Sequence, residues 1–129
     1  MKVKYIKYRE VPRVENRDVE YFSDLRKDPH LTLGKIYHVV LLSLPHQTQK
    51  TGELILRCGK DNYPGVWKLS NFEIVDYNIP SDWVLDMSHP DWIRLYPREF
   101  GGDFWDKFHD GDEAAEALFE QVYQRMTQS

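Results

Sequence analysis

A single cysteine, Cys58, is all the thiol this chain contains. An internal disulfide is therefore impossible, and so is a cysteine-rich zinc site. No run approaches the ~20 apolar residues that a membrane-crossing helix needs. The opening, MKVKYIKYREVPR, is charged and alternating and lacks the apolar stretch of a secretory leader. Missing too are the glycine-rich phosphate cradles GxxxxGKS/T and GxGxxG. None of the five histidines falls in HExxH or HxH spacing. These absences exclude a helical membrane protein. They point to a cytoplasmic chain with no cofactor and no metal.

What is there is a globular composition. The 129 residues are 41% hydrophobic, 14% aromatic and 29% charged, which excludes a disordered or collagen-like chain. The length fits one domain over 1–129. Within it, 1–30 reads as an N-terminal strand and extension, 31–87 as a β-rich body, and 88–129 as an aromatic, acidic segment ending in a helix.

Charge is unevenly spread. Lys2, Lys4, Lys7, Arg9, Arg13 and Arg17 face only Glu10 and Glu15 over residues 1–17, a net of +4. Residues 99–120 hold Glu99, Asp103, Asp106, Asp110, Asp112, Glu113, Glu116 and Glu120 against Lys107 alone, a net of −7. Such asymmetry bears on association and solubility rather than on fold.

Periodicity places the elements. Val3 to Tyr8 alternates with lysines and predicts an edge strand guarded against edge pairing. Val19 to Leu25 fits either a short helix or an irregular loop. Ile36 to Leu44 is β-branched and apolar on both faces, which predicts a central strand. Leu54–Cys58, Val66–Leu69 and Phe72–Tyr77 read as further strands, with the turn cluster GKDNYPG at 59–65. Trp83 to Met87 fits a short strand or a 3₁₀ turn. Asp103 to Phe108 reads as one or two helical turns. Asp110-Gly-Asp-Glu113 opens the clearest helix, with Asp110 and Glu113 spaced as a capping-box pair. Ala114, Ala115, Leu118, Phe119, Val122 and Met126 share its apolar face. The pattern is α+β: a small bent antiparallel sheet, or an SH3-like barrel, of five to six strands packed with a C-terminal α-helix.

Few residues offer chemistry. His38 lies inside the apolar strand, where a hydrogen-bonded core histidine is the simpler reading. Cys58 has no cation beside it in sequence to lower its pKa, so a buried inert thiol fits better than a nucleophile. Only a Cys58–His38 pair across neighbouring strands would supply an enzyme. Helix capping explains Asp110 to Glu113 better than calcium, because the twelve-residue ligand spacing is absent. A bend explains Gly101–Gly102 better than an anion nest. Lys2, Lys4, Tyr5, Lys7, Tyr8 and Arg9 interleave basic and aromatic residues as a nucleic-acid platform would. The sequence pI near 5.7 argues against that use.

The acidic helix is the informative feature. Asp112, Glu113, Glu116 and Glu120 fall on one arc opposite Leu118 and Val122. Glu116 and Glu120 stand at i,i+4, where like charges cost about 0.2–0.5 kcal/mol, with no lysine three or four positions away to relieve them. A cost kept in the sequence makes sense if the stripe meets a cationic partner. Trp92, Tyr96, Phe104, Trp105 and Phe108 flank it. Trp92, Phe104 and Phe108 suit either the core or an interface. Trp105, between Asp103 and Asp106, is the ring expected to stay partly exposed. The partner-binding set is then Asp103, Trp105, Asp106, Asp110, Asp112, Glu116 and Glu120.

Leu33-Gly-Lys-Ile-Tyr-His-Val39, with Phe72-Glu-Ile-Val-Asp-Tyr77 closing, resembles the first and last long strands of bacterial SH3-like barrel modules, over about 31–77. The whole chain, small, acidic and aromatic-rich, is similar to the immunity proteins of bacterial polymorphic-toxin and contact-dependent inhibition systems. That resemblance implies a non-catalytic module that binds a basic toxin domain and blocks it. It assigns no residue a role. A nucleic-acid-binding module using the N-terminal strand is the second expectation, and an enzyme with dispersed residues the third.

Overall fold

The computed structural model describes residues 1–6, 30–46, 51–58 and 63–128. The expected helix or loop at Val19–Leu25, and Lys7, Tyr8 and Arg9 of the basic opening, lie outside them. The fold is α+β: an open antiparallel sheet with helices on one face.

Strand β2 (Ile36–Pro45) is the central strand that its apolar run predicts. Tyr37, Val39 and Leu42 join one buried cluster, with Val3, Tyr5, Leu54, Leu56, Phe72 and Trp83. Val40 and Leu41 join a second, with Tyr96, Phe100, Phe104, Phe108, Ala115, Phe119 and Val122. Strict alternation cannot send two successive residues to one side. A β-bulge against β3 (Glu53–Cys58) permits it: Val39 pairs with Leu56 and Leu41 with Ile55, which leaves Val40 as the extra residue. Beyond the bulge, Leu42 and Leu54 face the first cluster together.

The sheet forks on β2. Its first half pairs with β1 (Lys2–Tyr5), and β5 (Phe72–Asp76) lies beyond β1. Its second half pairs with β7 (Trp92–Pro97), and β6 (Trp83–Asp86) lies beyond β7. Strand β3 takes the opposite edge and carries β4 (Tyr63–Lys68) outside it. Three sequence expectations change here. The sheet has seven strands and stays open rather than closing into a barrel, because both faces of β2 are apolar and helices cover the second. Strand β1 is flanked by β2 and β5 and is not an edge, a long-range pairing that local alternation cannot reveal. Strand β4 begins at Tyr63, so Tyr63, Pro64 and Gly65 belong to the ladder and not to the preceding turn.

Helices α1 (Phe104–His109) and α2 (Glu113–Thr127) follow a 3₁₀ turn at Arg98–Phe100. Only Asp110-Gly111-Asp112 joins them. Gly111 adopts φ +82°, the left-handed conformation that ends a helix. Its N–H reaches the Phe108 carbonyl at 3.1 Å, and the Asp112 N–H reaches Lys107 at 3.0 Å. That pair of bonds is a Schellman stop. Asp112 then caps α2, its Oδ1 accepting the Ala115 N–H at 2.9 Å. The capping residue is therefore Asp112 and not Asp110, which closes α1 instead. The apolar face of α2 is Ala115, Phe119 and Val122, with Leu118 and Met126 half-buried; Ala114 is exposed, outside the stripe assigned to it from sequence.

Phe119 sits where both helices meet, its ring 5.5 Å from Phe100 and 5.3 Å from Phe108. Truncation there empties a packed aromatic site. Phe119→Ala should lower unfolding stability by about 3–5 kcal/mol in urea titration. Ala114→Ser, on the exposed side of the same helix, should stay within about 0.5 kcal/mol.

Candidate functional site

Strand β4 and the first turns of α2 leave a groove of about 440 Å³ between them. Tyr63 and Pro64 form one wall, Glu113, Glu116 and Ala117 the other, with Phe108 and Phe119 also lining it. The Tyr63 ring lies 5.2 Å from Phe108. Its hydroxyl meets His109 Nδ1 at 3.1 Å. Those two contacts hold an exposed aromatic ring in place beside the carboxylates.

The expected partner-binding residues divide into groups. Glu120 is not free: both its oxygens receive Arg57 of β3, one at 2.9 Å and the other closer still. The same guanidinium lies over the rings of Tyr123 (4.9 Å) and Phe119 (5.5 Å). The Glu116–Glu120 repulsion expected from sequence is thus relieved from a strand 63 residues away. Asp112 is occupied as the helix cap. Asp103 meets Lys107 at 3.5 Å, with both side chains exposed, so that pair adds little. Glu99, counted in the same acidic stretch, is held by Arg125, which bonds it at 2.7 and 3.1 Å and Asp82 at 2.5 Å. That bond is the main reason the Glu99 carboxyl titrates below its ordinary value.

Asp106, Asp110, Glu113 and Glu116 form no ion pair among the described residues. Asp106 and Asp110 stand exposed on and just after α1, and Glu113 and Glu116 wall the groove. Trp105 is half-buried, its ring 5.0 Å from Phe104 and 5.6 Å from Phe108. Phe104 and Phe108 are core, and Trp92 is half-buried. Tyr63, Pro64 and Arg57 escaped the sequence reading because their place in the groove depends on which strand α2 crosses.

A larger cleft, about 1,020 Å³, opens in the fork between the β1–β5 and β6–β7 arms. His38, Lys2 and Asp76 line one side, and Trp83, Arg98 and Arg125 are also at its walls. Burial, then the charge of Lys2, holds the His38 imidazole below its ordinary pKa. Cys58 lines neither this cleft nor the groove; it packs against the first core cluster. The histidine–thiol pair that an enzyme reading needs is not assembled in either cavity. No group of three or more metal-ligating side chains occurs among the described residues. No described helix is long and apolar enough to cross a membrane. Of the basic N-terminal residues, Tyr5 is 1% exposed and packs 5.4 Å from Phe72, so its ring cannot stack on a base.

The β6–β7 arm is pinned by a polar knot. Asp86 Oδ1 accepts the Ser88 N–H (2.9 Å) and hydroxyl (2.6 Å), and Oδ2 accepts the Tyr96 hydroxyl at 2.6 Å. The Ser88 hydroxyl, then Tyr96, pulls the Asp86 pKa down to about 2. Burial, then the bond to Asp86, raises Tyr96 to about 12. A depressed folded-state pKa means the unfolded chain binds the proton more readily. The stabilisation is therefore present above the unfolded value of 3.8 and is lost as pH falls toward 2. Asp86→Asn should lower the urea midpoint at neutral pH, and its gap from wild type should narrow as pH drops through that window.

No protein-family model matches this chain, and neither a curated protein nor a solved structure matches it.

Proposed function

We propose that this chain is a non-catalytic protein-binding module, an immunity protein of bacterial type that captures a basic toxin domain in the cytoplasm and occludes its active cleft. One observation carries the reading. Glu113 and Glu116 stand beside the exposed Tyr63 ring with no ion pair among the described residues, while Glu120 pairs with Arg57, and Glu99 and Asp82 share Arg125. The fold supplies cations where carboxylates serve packing. Among the described residues, no cation pairs with Asp106, Asp110, Glu113 or Glu116.

Aromatic and acidic groups together suit a cationic protein surface. Carboxylates speed encounter with a basic partner, and a ring at the centre of the contact supplies area that excludes water. Glu113 and Glu116 line the groove, and Asp106 and Asp110 are exposed on and just after α1. The nucleic-acid reading is weakened, since Tyr5 is spent in the core and the open carboxylates repel phosphate. The enzyme reading is weakened because His38 lines the larger cleft whereas Cys58 lines neither cavity and packs against the first core cluster.

The test is capture from the native host with wild-type and D106K/E116K baits, followed by assay of the captured protein with added wild-type chain. Wild type should retain a basic protein and abolish its activity at equimolar ratio. The double variant should associate slower by about tenfold or more at low ionic strength, with a flatter salt dependence. Unchanged capture by the variant at low salt would end the acidic-face reading.

A further inference from the structure

We infer that the groove between β4 and α2 is a receptor for one arginine side chain of the basic partner. This rests on the reading of the chain as a binder of a basic protein, and it names the group recognised. The molecule already holds one guanidinium in the same groove. Arg57 lines it, lies over Phe119 and Tyr123 at 5.5 and 4.9 Å, and presents two nitrogens to both oxygens of Glu120. Stacking combined with a two-pronged carboxylate bond is what guanidinium does better than ammonium, being planar, forked and weakly hydrated.

One helical turn earlier the same parts recur with no cation paired to them among the described residues. Glu116 stands one turn before Glu120, and Glu113 stands one turn before Glu116. Phe108 and Tyr63 provide the rings there, 5.2 Å apart, with Tyr63 held by His109. Four charged side chains line the groove: Glu113, Glu116, Glu120 and Arg57. Arg57 and Glu120 cancel, so Glu113 and Glu116 remain to face an incoming charge. Ala117 follows Glu116, lines the same groove and is exposed. Its methyl leaves the width that a planar group needs. A longer side chain at that position would fill the space without changing the charge.

The experiment is an NMR titration of the labelled full chain with three blocked pentapeptides, Gly-Gly-X-Gly-Gly, where X is arginine, lysine or the neutral isostere citrulline. The arginine peptide should shift the Tyr63 ring and Ala117 methyl signals. The lysine peptide should do so more weakly, and the citrulline peptide not at all. Ala117→Leu and, separately, E113Q/E116Q should each weaken arginine binding by about tenfold. Leucine is a strong helix former, so the first variant should keep its circular dichroism; if it does not, the glutamine pair decides. Equal response to arginine and lysine, spread over Asp103 to Glu120, would overturn the inference, as would wild-type binding by Ala117→Leu. Partner capture that survives Ala117→Leu but fails in D106K/E116K would remove the arginine receptor and leave the acidic-face reading standing.

Discussion

Burial of β2 on both of its faces governs the rest of the molecule. A ten-residue strand with Tyr37, Val39 and Leu42 on one side and Val40 and Leu41 on the other cannot be satisfied by a single layer. The first side is closed by the bent sheet itself. The second draws in the 3₁₀ turn and both helices, and with them Phe100, Phe104, Phe108 and Phe119. The bulge at Val40 decides which residues go where. Because α2 must lie across β2 and β3 to cover Val40, Leu41 and Ile55, its first turns are left hanging over β4, and a groove opens where helix and outer strand diverge.

Electrostatics follow from that placement. Arginines from distant parts of the chain reach the carboxylates that lie along helix-to-sheet contacts: Arg57 reaches Glu120, and Arg125 reaches Glu99 and Asp82. Each of these ties one layer to another. The remaining acids, Asp106, Asp110, Glu113 and Glu116, lie at the ends of the helices, the last two over the outer strand β4. Half of the acidic stretch is therefore structural, and the other half is available. The proposed function draws only on the second half.

Local pattern revealed much of the scaffold. The two-sided run at Ile36 to Leu44, the strands at Leu54–Cys58 and Phe72–Tyr77, and the long final helix all announce themselves through periodicity, and each is present within a residue or two. The junction misled because Asp110 and Asp112 have equal standing as caps in sequence. Only the positive φ of Gly111 separates them. Strand β1 misled because alternation with lysine reads the same whether one neighbour or two lie alongside. The candidate site was legible as a list of acids but not as a place. Tyr63 sat in a stretch that reads as a turn, and Arg57 in a strand with nothing to mark it. Their relation to Glu113 and Glu120 exists only after the chain has closed across fifty residues or more.

The junction of the two helices has a bearing on recognition. Asp112 belongs to both caps, as the residue that completes the Schellman stop of α1 and as the acceptor that starts α2. Only Asp110, Gly111 and Asp112 separate the helices, and each belongs to a cap or to the stop, so Phe108 of α1 and Glu113 and Glu116 of α2 meet across a short, hydrogen-bonded junction. The arginine receptor proposed above would draw on that junction to hold its walls in place before a partner arrives. Little ordering entropy is then lost on complex formation, and a small contact can hold tightly.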